Sequence, residues 1–159
     1  NTSADRYQNA TYILHSLIDI VSKNGNYLLD VGPTANGTII PPARDPLLTV
    51  GKWLKVAGDA IYDTTYWYVA AQEGDLRFTT KPDAFYVISL SYPVNGTIRS
   101  TLPLPIKEGD VATFLGPDGS NATALEWHWT DNDNVFELFA DEVVLKKVEN
   151  AWAFKITYV

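Results

Sequence analysis

Asp30 is the carboxylate whose place in the sequence best suits chemistry. It belongs to a short, nearly continuous apolar segment bounded by glycines, residues 26–31 (NYLLDV). Such a segment is typical of a strand buried on both faces of a parallel sheet. Asn26, Leu28 and Asp30 would then share one face of the strand. Asp30 would lie at its carboxyl end, where barrels of parallel strands build their active sites.

Two roles fit Asp30 in that position. It could contact a substrate, or raise the pKa of a catalytic carboxyl by like-charge repulsion. Alternatively, neighbouring donors satisfy its charge and it serves only the structure, which is the interpretation we favour.

The two histidines have different surroundings in the sequence. His15 lies in a helical pattern without a second ligand at helical spacing, so we predict a packed or capping histidine rather than a metal ligand. His128 stands between Trp127 and Trp129, and strand alternation places both tryptophans on one face. That face is usually the core, although flanking tryptophans could also form a sugar-stacking platform.

A polar run at residues 131–134 (DNDN), followed at a distance by Glu142, resembles a calcium-binding loop in spacing. Val135 occupies a ligand position, however, and Phe136 replaces the glycine that an EF-hand loop requires. We therefore predict a polar hairpin turn. The sequence has no Ser-His-Asp, phosphate-loop or zinc pattern and no cysteine, so no metal or other cofactor is predicted.

Acceptor patterns for N-linked glycosylation occur at Asn1, Asn9, Asn36, Asn95 and Asn121. Chance would supply roughly one or two in a chain of this composition. They predict a secreted or extracellular protein, with a lysosomal or vacuolar one as the alternative. Turn geometry alone could also explain two of them, because Asn-Gly is a favoured tight-turn dipeptide at Asn36 and at Asn95.

The composition excludes several classes of partner. The formal charge of -7 opposes nucleic-acid binding, which needs a basic face. Apolar runs fall short of the roughly 18 to 20 residues that span a bilayer, so no membrane partner is predicted. The sequence contains no methionine, and we expect the chain to have been released from a longer precursor.

The first part of the chain has an α/β pattern. A helix is predicted over residues 9–23, ending at Asn24-Gly25 because glycine accepts the left-handed conformation. The strand at 26–31 follows, and a second helix is predicted to begin at Asp45-Pro46 and to end at Gly58. One strand cannot form a sheet, so this pattern is incomplete.

The pattern changes near residue 62. Aromatic and β-branched runs about ten residues apart are typical of an antiparallel β-sandwich. Strands are predicted at residues 66–71, 76–80, 84–91, 97–101, 112–115, 124–130, 135–139 and 151–159. We therefore predict two domains, residues 1–62 and 63–159.

Several ordered motifs across nearly the whole chain resemble those of family 29 glycoside hydrolases, the α-L-fucosidases. They are LIDIVSKNGNYLLDVGP at residues 17–33, NGTI at 36–39, VGKWL at 50–54, GDAIY at 58–62, RFTTK at 77–81, FYVI at 85–88, FLG at 114–116 and AWAFKI at 151–156. Two positions depart from the family pattern. Asn24 stands where the family usually has a second glycine, and Asp30 stands where it usually has asparagine, which changes the charge.

The resemblance implies that residues 1–62 are the last strand and flanking helices of a catalytic (β/α)8 TIM-like barrel. Residues 63–159 would be its C-terminal β-sandwich domain. It also implies a retaining exo-α-L-fucosidase that removes terminal α-L-fucosyl residues from glycans, using an Asp nucleophile and an acid/base about 5 Å apart. In the family both lie upstream of this segment, so no catalytic residue is assigned here and no cofactor is implied.

The implied partners are an upstream N-terminal chain of the same precursor and a fucosylated glycan substrate. The alternative is a non-catalytic carbohydrate-binding or interaction module, in which the sandwich does the work and residues 1–60 are an appendage. That alternative predicts aromatic side chains exposed on one sheet face and stability without a partner.

Overall fold

Two helices precede a run of antiparallel strands in the computed structural model, which describes residues 7–117, 123–130 and 134–159. Helix α1 spans Ala10–Ser22 and helix α2 spans Pro41–Ala57. A 3-10 turn at Gly58–Ala60 continues α2. In the described part of the chain, neither helix is long and apolar enough to cross a membrane.

Helix α1 forms as its sequence predicts, with one difference at its end. The side-chain oxygen of Asn9 accepts a hydrogen bond from the backbone N–H of Tyr12 at 2.8 Å, which caps the start. At the end, the Gly25 N–H donates to the carbonyl of Ile20 at 2.8 Å. Asn24 rather than glycine adopts the left-handed conformation, with φ of 61°. Gly25 is required for a different reason, because a Cβ there would lie 2.8 Å from a side-chain carbon of Ile20.

The predicted start of the second helix was wrong. Helix α2 begins at Pro41, with prolines in its first two positions, where no backbone N–H is needed. Pro46 lies inside the helix and not at its start. Asp45 is therefore not the N-cap. The predicted end at Gly58 is confirmed, because its N–H caps the helix by donating to Leu54.

Residues 26–31 do not form the predicted buried strand. No strand is assigned to them, and the Leu28 side chain is 89% exposed. A strand requires a neighbour with which to exchange backbone hydrogen bonds. Within the described residues the remaining strands pair only with one another, so none lies beside this segment.

The described residues after position 64 form an antiparallel sheet of nine strands. They are β1 Thr65–Tyr66, β2 Gln72–Glu73, β3 Leu76–Lys81, β4 Ala84–Ser89, β5 Thr97–Ser100, β6 Val111–Phe114, β7 Ala124–Trp129, β8 Phe136–Phe139 and β9 Trp152–Thr157. Their order is β1-β3-β4-β9-β6-β7-β8-β5, and β2 also pairs with β3. The sheet divides at β7, whose first two residues pair with β6 while residues 126–129 pair with β8.

The strand predictions agree with this sheet except at residues 66–71. Only Tyr66 of that run is in a strand, because the chain turns there to bring Trp67 edge-on against Phe78 and Phe85. A short helix that was not predicted, α3 at Glu142–Leu145, lies between β8 and β9.

Strand β4 is buried along its whole length because both faces of the sheet are covered. Phe85 points to one side, where it stacks on Phe78. Tyr86 points to the other side, where its hydroxyl meets Asp59 just after α2. One face of the sheet is therefore packed on the helical segment, and a single hydrophobic core extends through both.

Candidate functional site

A cleft lies between α1, residues 27–32 and α2. Its volume is about 530 Å³, and it is open to solvent. Tyr12 and Ile20 contribute from α1, Leu28 and Asp30 from the extended segment, and Leu47 from α2. The cleft is therefore bounded by the elements that the sequence predicted to be the last strand of a barrel and its flanking helices.

Asp30 lines this cleft, and its predicted role near a substrate stays a prediction. The residue is exposed. Within residues 7–117, 123–130 and 134–159, no hydrogen-bond donor or cation contacts its carboxylate. A structural role for Asp30 would therefore need donors other than those described.

Exposed apolar side chains line the same cleft as Asp30. Tyr12 is 56% exposed and Leu28 is 89% exposed, and both line the cleft together with the partly exposed Leu29. Contiguous exposed apolar side chains mark surfaces that another structure covers. The cleft combines these exposed apolar side chains with polar ones from Gln8, Ser16 and Asp30.

A separate charged cluster joins the helical segment to the sheet. The Asp59 carboxylate accepts hydrogen bonds from Lys81 Nζ at 2.6 Å, Lys155 Nζ at 2.8 Å and the Tyr86 hydroxyl at 2.9 Å. Burial alone would raise the pKa of Asp59, but these three hydrogen bonds outweigh it and lower the pKa to about 2. The carboxylate stays ionised at neutral pH, which suits an ion-pair junction and not a general acid.

Tyr86 is the neutral member of this cluster. Burial raises the pKa of its hydroxyl, and so does the hydrogen bond that it donates to Asp59. The phenol consequently remains a hydrogen-bond donor across the physiological pH range.

Sequence reasoning missed the cluster around Asp59. The one sign of the cluster in the sequence was Lys155, which shares a face of the last predicted strand with Ala153.

Two further contacts strengthen the same junction. Asp19 on α1 accepts a hydrogen bond from Arg77 Nε on β3 at 2.6 Å. Trp53 on α2 donates its ring N–H to the carbonyl of Ala151 at 2.8 Å, in a buried position. The helices that bound the cleft are thus held on the sheet at several points.

His15 occupies the packed position that the sequence predicts. Its Nε2 lies 2.6 Å from the backbone oxygen of Asn150, beside the start of β9. No group of three or more potential metal ligands is found among the described residues.

The two tryptophans beside His128 face the core, as predicted. Both rings pack on Phe136, with centroids 5.8 Å away for Trp127 and 5.5 Å away for Trp129. The alternative, a sugar platform made by this pair, stays a prediction, because both tryptophans are only partly buried. His128 lies on the opposite face, where it stacks on Phe139 and lies 3.4 Å from a Glu137 oxygen.

The polar run at 131–134 lies outside the described residues except for Asn134. The residues that flank it form a hairpin, with the Thr130 N–H donating to the carbonyl of Val135 at 2.9 Å. Glu142 begins α3 and pairs with Lys146 at 3.0 Å. The flanking strands β7 and β8 pair antiparallel, and the turn itself stays a prediction.

Of the predicted glycosylation sites, Asn1 and Asn121 lie outside the described residues. Asn9, Asn36 and Asn95 are all exposed. Turn geometry is confirmed at two of them, since Gly37 has φ of 82°, and Asn95 and Gly96 have φ of 56° and 70°. Whether any of these asparagines carries a glycan stays a prediction.

Comparison with known proteins gives one consistent family. The family model for α-L-fucosidase matches residues 1–59. The tissue α-L-fucosidase of Homo sapiens is 36% identical over 151 residues, covering 92% of this chain and 31% of the relative. The α-L-fucosidase of Dictyostelium discoideum is 35% identical over 124 residues, covering 77% of this chain and 27% of the relative. The chain therefore spans about a third of the length of such relatives.

Solved structures agree over nearly the whole chain. The Thermotoga maritima α-fucosidase in complex with fucose has a TM-score of 0.80 and 26% identity, covering 99% of this chain and 36% of that chain. The α-L-fucosidase isoenzyme 1 from Paenibacillus thiaminolyticus has a TM-score of 0.76 and 25% identity, covering 95% of this chain and 35% of that chain. The likeness includes the helical segment and the antiparallel sheet together.

Proposed function

Because this chain belongs to the α-L-fucosidase family, we propose that it supplies the C-terminal part of a retaining exo-α-L-fucosidase. Its antiparallel, strand-rich sheet resembles the fucosidase fold. In the proposal, residues 1–62 complete a catalytic (β/α)8 barrel, and residues 63–159 form a β-sandwich whose two layers are joined through β7. The remaining barrel strands and the catalytic carboxyl pair lie upstream in the same precursor.

The observation that carries the proposal is the open cleft beside residues 26–31. These residues have the composition of a strand buried on both faces, yet Leu28 is 89% exposed. Barrel strands on either side would provide the missing backbone partners and would cover the apolar side chains of the cleft. Helices α1 and α2 already lie against this segment, as the helices that flank a barrel strand do.

The reaction in this proposal needs two carboxyl groups about 5 Å apart. One, an aspartate, attacks the anomeric carbon of the fucosyl group and forms a glycosyl-enzyme ester. The other protonates the departing glycosidic oxygen and later removes a proton from the attacking water. No residue of this chain is assigned to either role. Asp30, at the end of the proposed last strand, is placed near the substrate.

The sheet has a supporting role in the proposal. Asp59 on the helical side is bound by two lysines from β3 and β9, and Asp19 on α1 is bound by Arg77. These contacts fix the helices that position residues 26–31. The sandwich therefore stabilises the position of the last part of the barrel.

The glycosylation patterns support passage through the secretory pathway. We propose a secreted protein that acts on fucosylated glycans, with a lysosomal or vacuolar location as the alternative. The second candidate function is a carbohydrate-binding or interaction module. It is disfavoured because the likeness to fucosidases extends through the helical segment, which such a module would not need.

A covalent label tests the proposal. The complete protein, incubated with a 2-deoxy-2-fluoro-α-L-fucosyl fluoride, should gain one fluorofucosyl group, because the fluorine slows hydrolysis of the intermediate. Peptide mapping should place the label on an aspartate upstream of residue 1. A label on Asp30 would contradict the assignment of residues. A binding module would bind fucosylated glycans without acquiring any label.

A further inference from the structure

The loop between residues 32 and 41 begins and ends next to residues that line the cleft. Gly32 lines the cleft at one end of the loop, and Ala43 in the first turn of α2 lines it at the other. Asn36 follows Gly32 by four residues, so at most about 14 Å of extended chain separates them. In a barrel enzyme the loops that follow the strands surround the active site.

The turn at this point fixes the amide of Asn36. The Thr34 N–H donates to the carbonyl of Thr38 at 2.9 Å, and the Gly37 N–H donates to the carbonyl of Thr34 at 2.8 Å. Asn36 Oδ1 accepts from the Thr38 N–H at 3.2 Å and from the Thr34 hydroxyl. A backbone N–H can only donate, so the atom that faces it must be the amide oxygen.

The other amide atom, Nδ2, has no partner among the described residues, and Asn36 is exposed. The turn therefore uses only the oxygen of Asn36. An N-linked glycan uses only the nitrogen. Turn formation and glycosylation, which look like rival explanations of Asn36-Gly37-Thr38, are compatible at this position.

We infer that Asn36 carries an N-linked glycan, and that in the complete barrel this glycan stands beside the active site, on the loop after the proposed last strand, and limits the access of large substrates. The donor is an oligosaccharide attached to a polyprenyl diphosphate. Nδ2 of Asn36 forms a bond to the anomeric carbon of the oligosaccharide, and the bond from that carbon to the diphosphate oxygen breaks. One amide proton leaves, and the diphosphate departs with its lipid. The screening role rests on the proposed function, whereas the attachment does not.

Variants at Thr38 separate the glycan from the turn. Thr38→Ala destroys the acceptor pattern but keeps Asn36 and the backbone N–H and carbonyl of residue 38, which are the atoms that form the turn. Thr38→Ser keeps the acceptor pattern and is the matched positive control. Thr97→Ala removes the pattern at Asn95, which lies in a 3-10 turn before β5 and outside the proposed barrel segment, and controls for the loss of any glycan.

The complete protein and these variants are secreted from a eukaryotic host and examined by intact mass and glycopeptide mapping. Wild type and Thr38→Ser should carry a glycan at Asn36, and Thr38→Ala should lack it at unchanged Tm. For Thr38→Ala, kcat/KM on a large fucosylated glycoprotein should rise on the order of threefold, with little change on a small aryl α-L-fucoside. Thr97→Ala should leave both values unchanged.

An unmodified Asn36 in the secreted wild type would overturn the inference. A wild type that is glycosylated at Asn36 but shares with Thr38→Ala the same ratio of kcat/KM on the large substrate to kcat/KM on the small one would overturn the screening role. A wild type inactive on both substrates would instead contradict the proposed function, and the screening role with it. The mass measurement would still decide whether Asn36 is glycosylated.

Discussion

The Asp59 carboxylate and the Lys155 ammonium, 96 residues apart in the sequence, lie 2.8 Å from each other. Asp59 ends the helical segment, and Lys155 belongs to the last strand of the sheet. Lys81 completes the contact from β3. This ion pair holds together the two parts of the chain that the family resemblance assigns to different domains, so its removal should loosen the wall of the cleft.

Replacing Asp59 with Asn should therefore destabilise the protein. The variant leaves two lysines without their counter-ion. Because the Asp59 side chain is 40% exposed, we expect a loss of about 1–2 kcal/mol in the free energy of unfolding, less than for a fully buried pair. Denaturant unfolding followed by tryptophan fluorescence measures it. Asp45→Asn, which removes an exposed pair with Arg44, is the control and should cause no measurable change.

The same pair should give a defined pH dependence. The pKa of Asp59 falls from 3.8 to about 2 on folding, so ionised Asp59 stabilises the folded state above pH 3.8. That contribution is lost as the pH falls from about 4 towards 2. The Tm difference between wild type and Asp59→Asn should be constant from pH 5 to 7 and should shrink below about pH 4. A difference that persists at pH 2 would assign the effect to packing.

Two glycines in left-handed turns should respond differently to alanine. At Gly96 a Cβ would overlap the carbonyl oxygen of Ala140, and φ is 70°. At Gly37 φ is 82° and no atom lies within 4 Å of the added Cβ. We expect Gly96→Ala to cost about 3 kcal/mol and Gly37→Ala about 1 kcal/mol, measured by denaturant unfolding. Equal losses would show that backbone strain alone sets the cost.

Replacing Asp30 with Asn tests the role of the cleft carboxylate. If Asp30 is not a reacting group, the variant should keep its fold and its kcat within about tenfold of wild type on an aryl α-L-fucoside. Asp75→Asn, in the turn between β2 and β3 and outside the cleft, serves as the control. A loss of several orders of magnitude at an unchanged circular dichroism spectrum would place Asp30 in the chemistry.

The sequence predicts those elements whose signals are local. Helix α1 has a complete apolar stripe and a cap at each end, and most strands alternate between apolar and polar residues. The start of α2 was placed wrongly because Asp45-Pro46 imitates a cap, whereas Pro41 and Pro42 carry the actual start. Residues 26–31 have strand composition, but strand formation depends on neighbours that a local pattern cannot supply.

The candidate site, like the fold, could be predicted only in part from the sequence. The spacing within residues 26–31 singled out Asp30, which does line the cleft, but it did so through a strand that the structure does not contain. The cluster around Asp59 could not be predicted, because Asp59, Lys81 and Lys155 come together only when β3, β4 and β9 pair in register. A lysine among small and apolar residues of a buried strand was the available sign that a carboxylate lies opposite.

Native mass spectrometry of the purified protein, followed by a denaturing run on the same sample, shows whether further polypeptide completes the barrel. We expect this chain together with enough additional polypeptide to complete a barrel of about 250 residues, either joined to it or as a second chain. The same sample should hydrolyse an aryl α-L-fucoside. A stable, monodisperse species of 159 residues alone would contradict the proposed function, because residues 26–31 would then need no barrel to cover them.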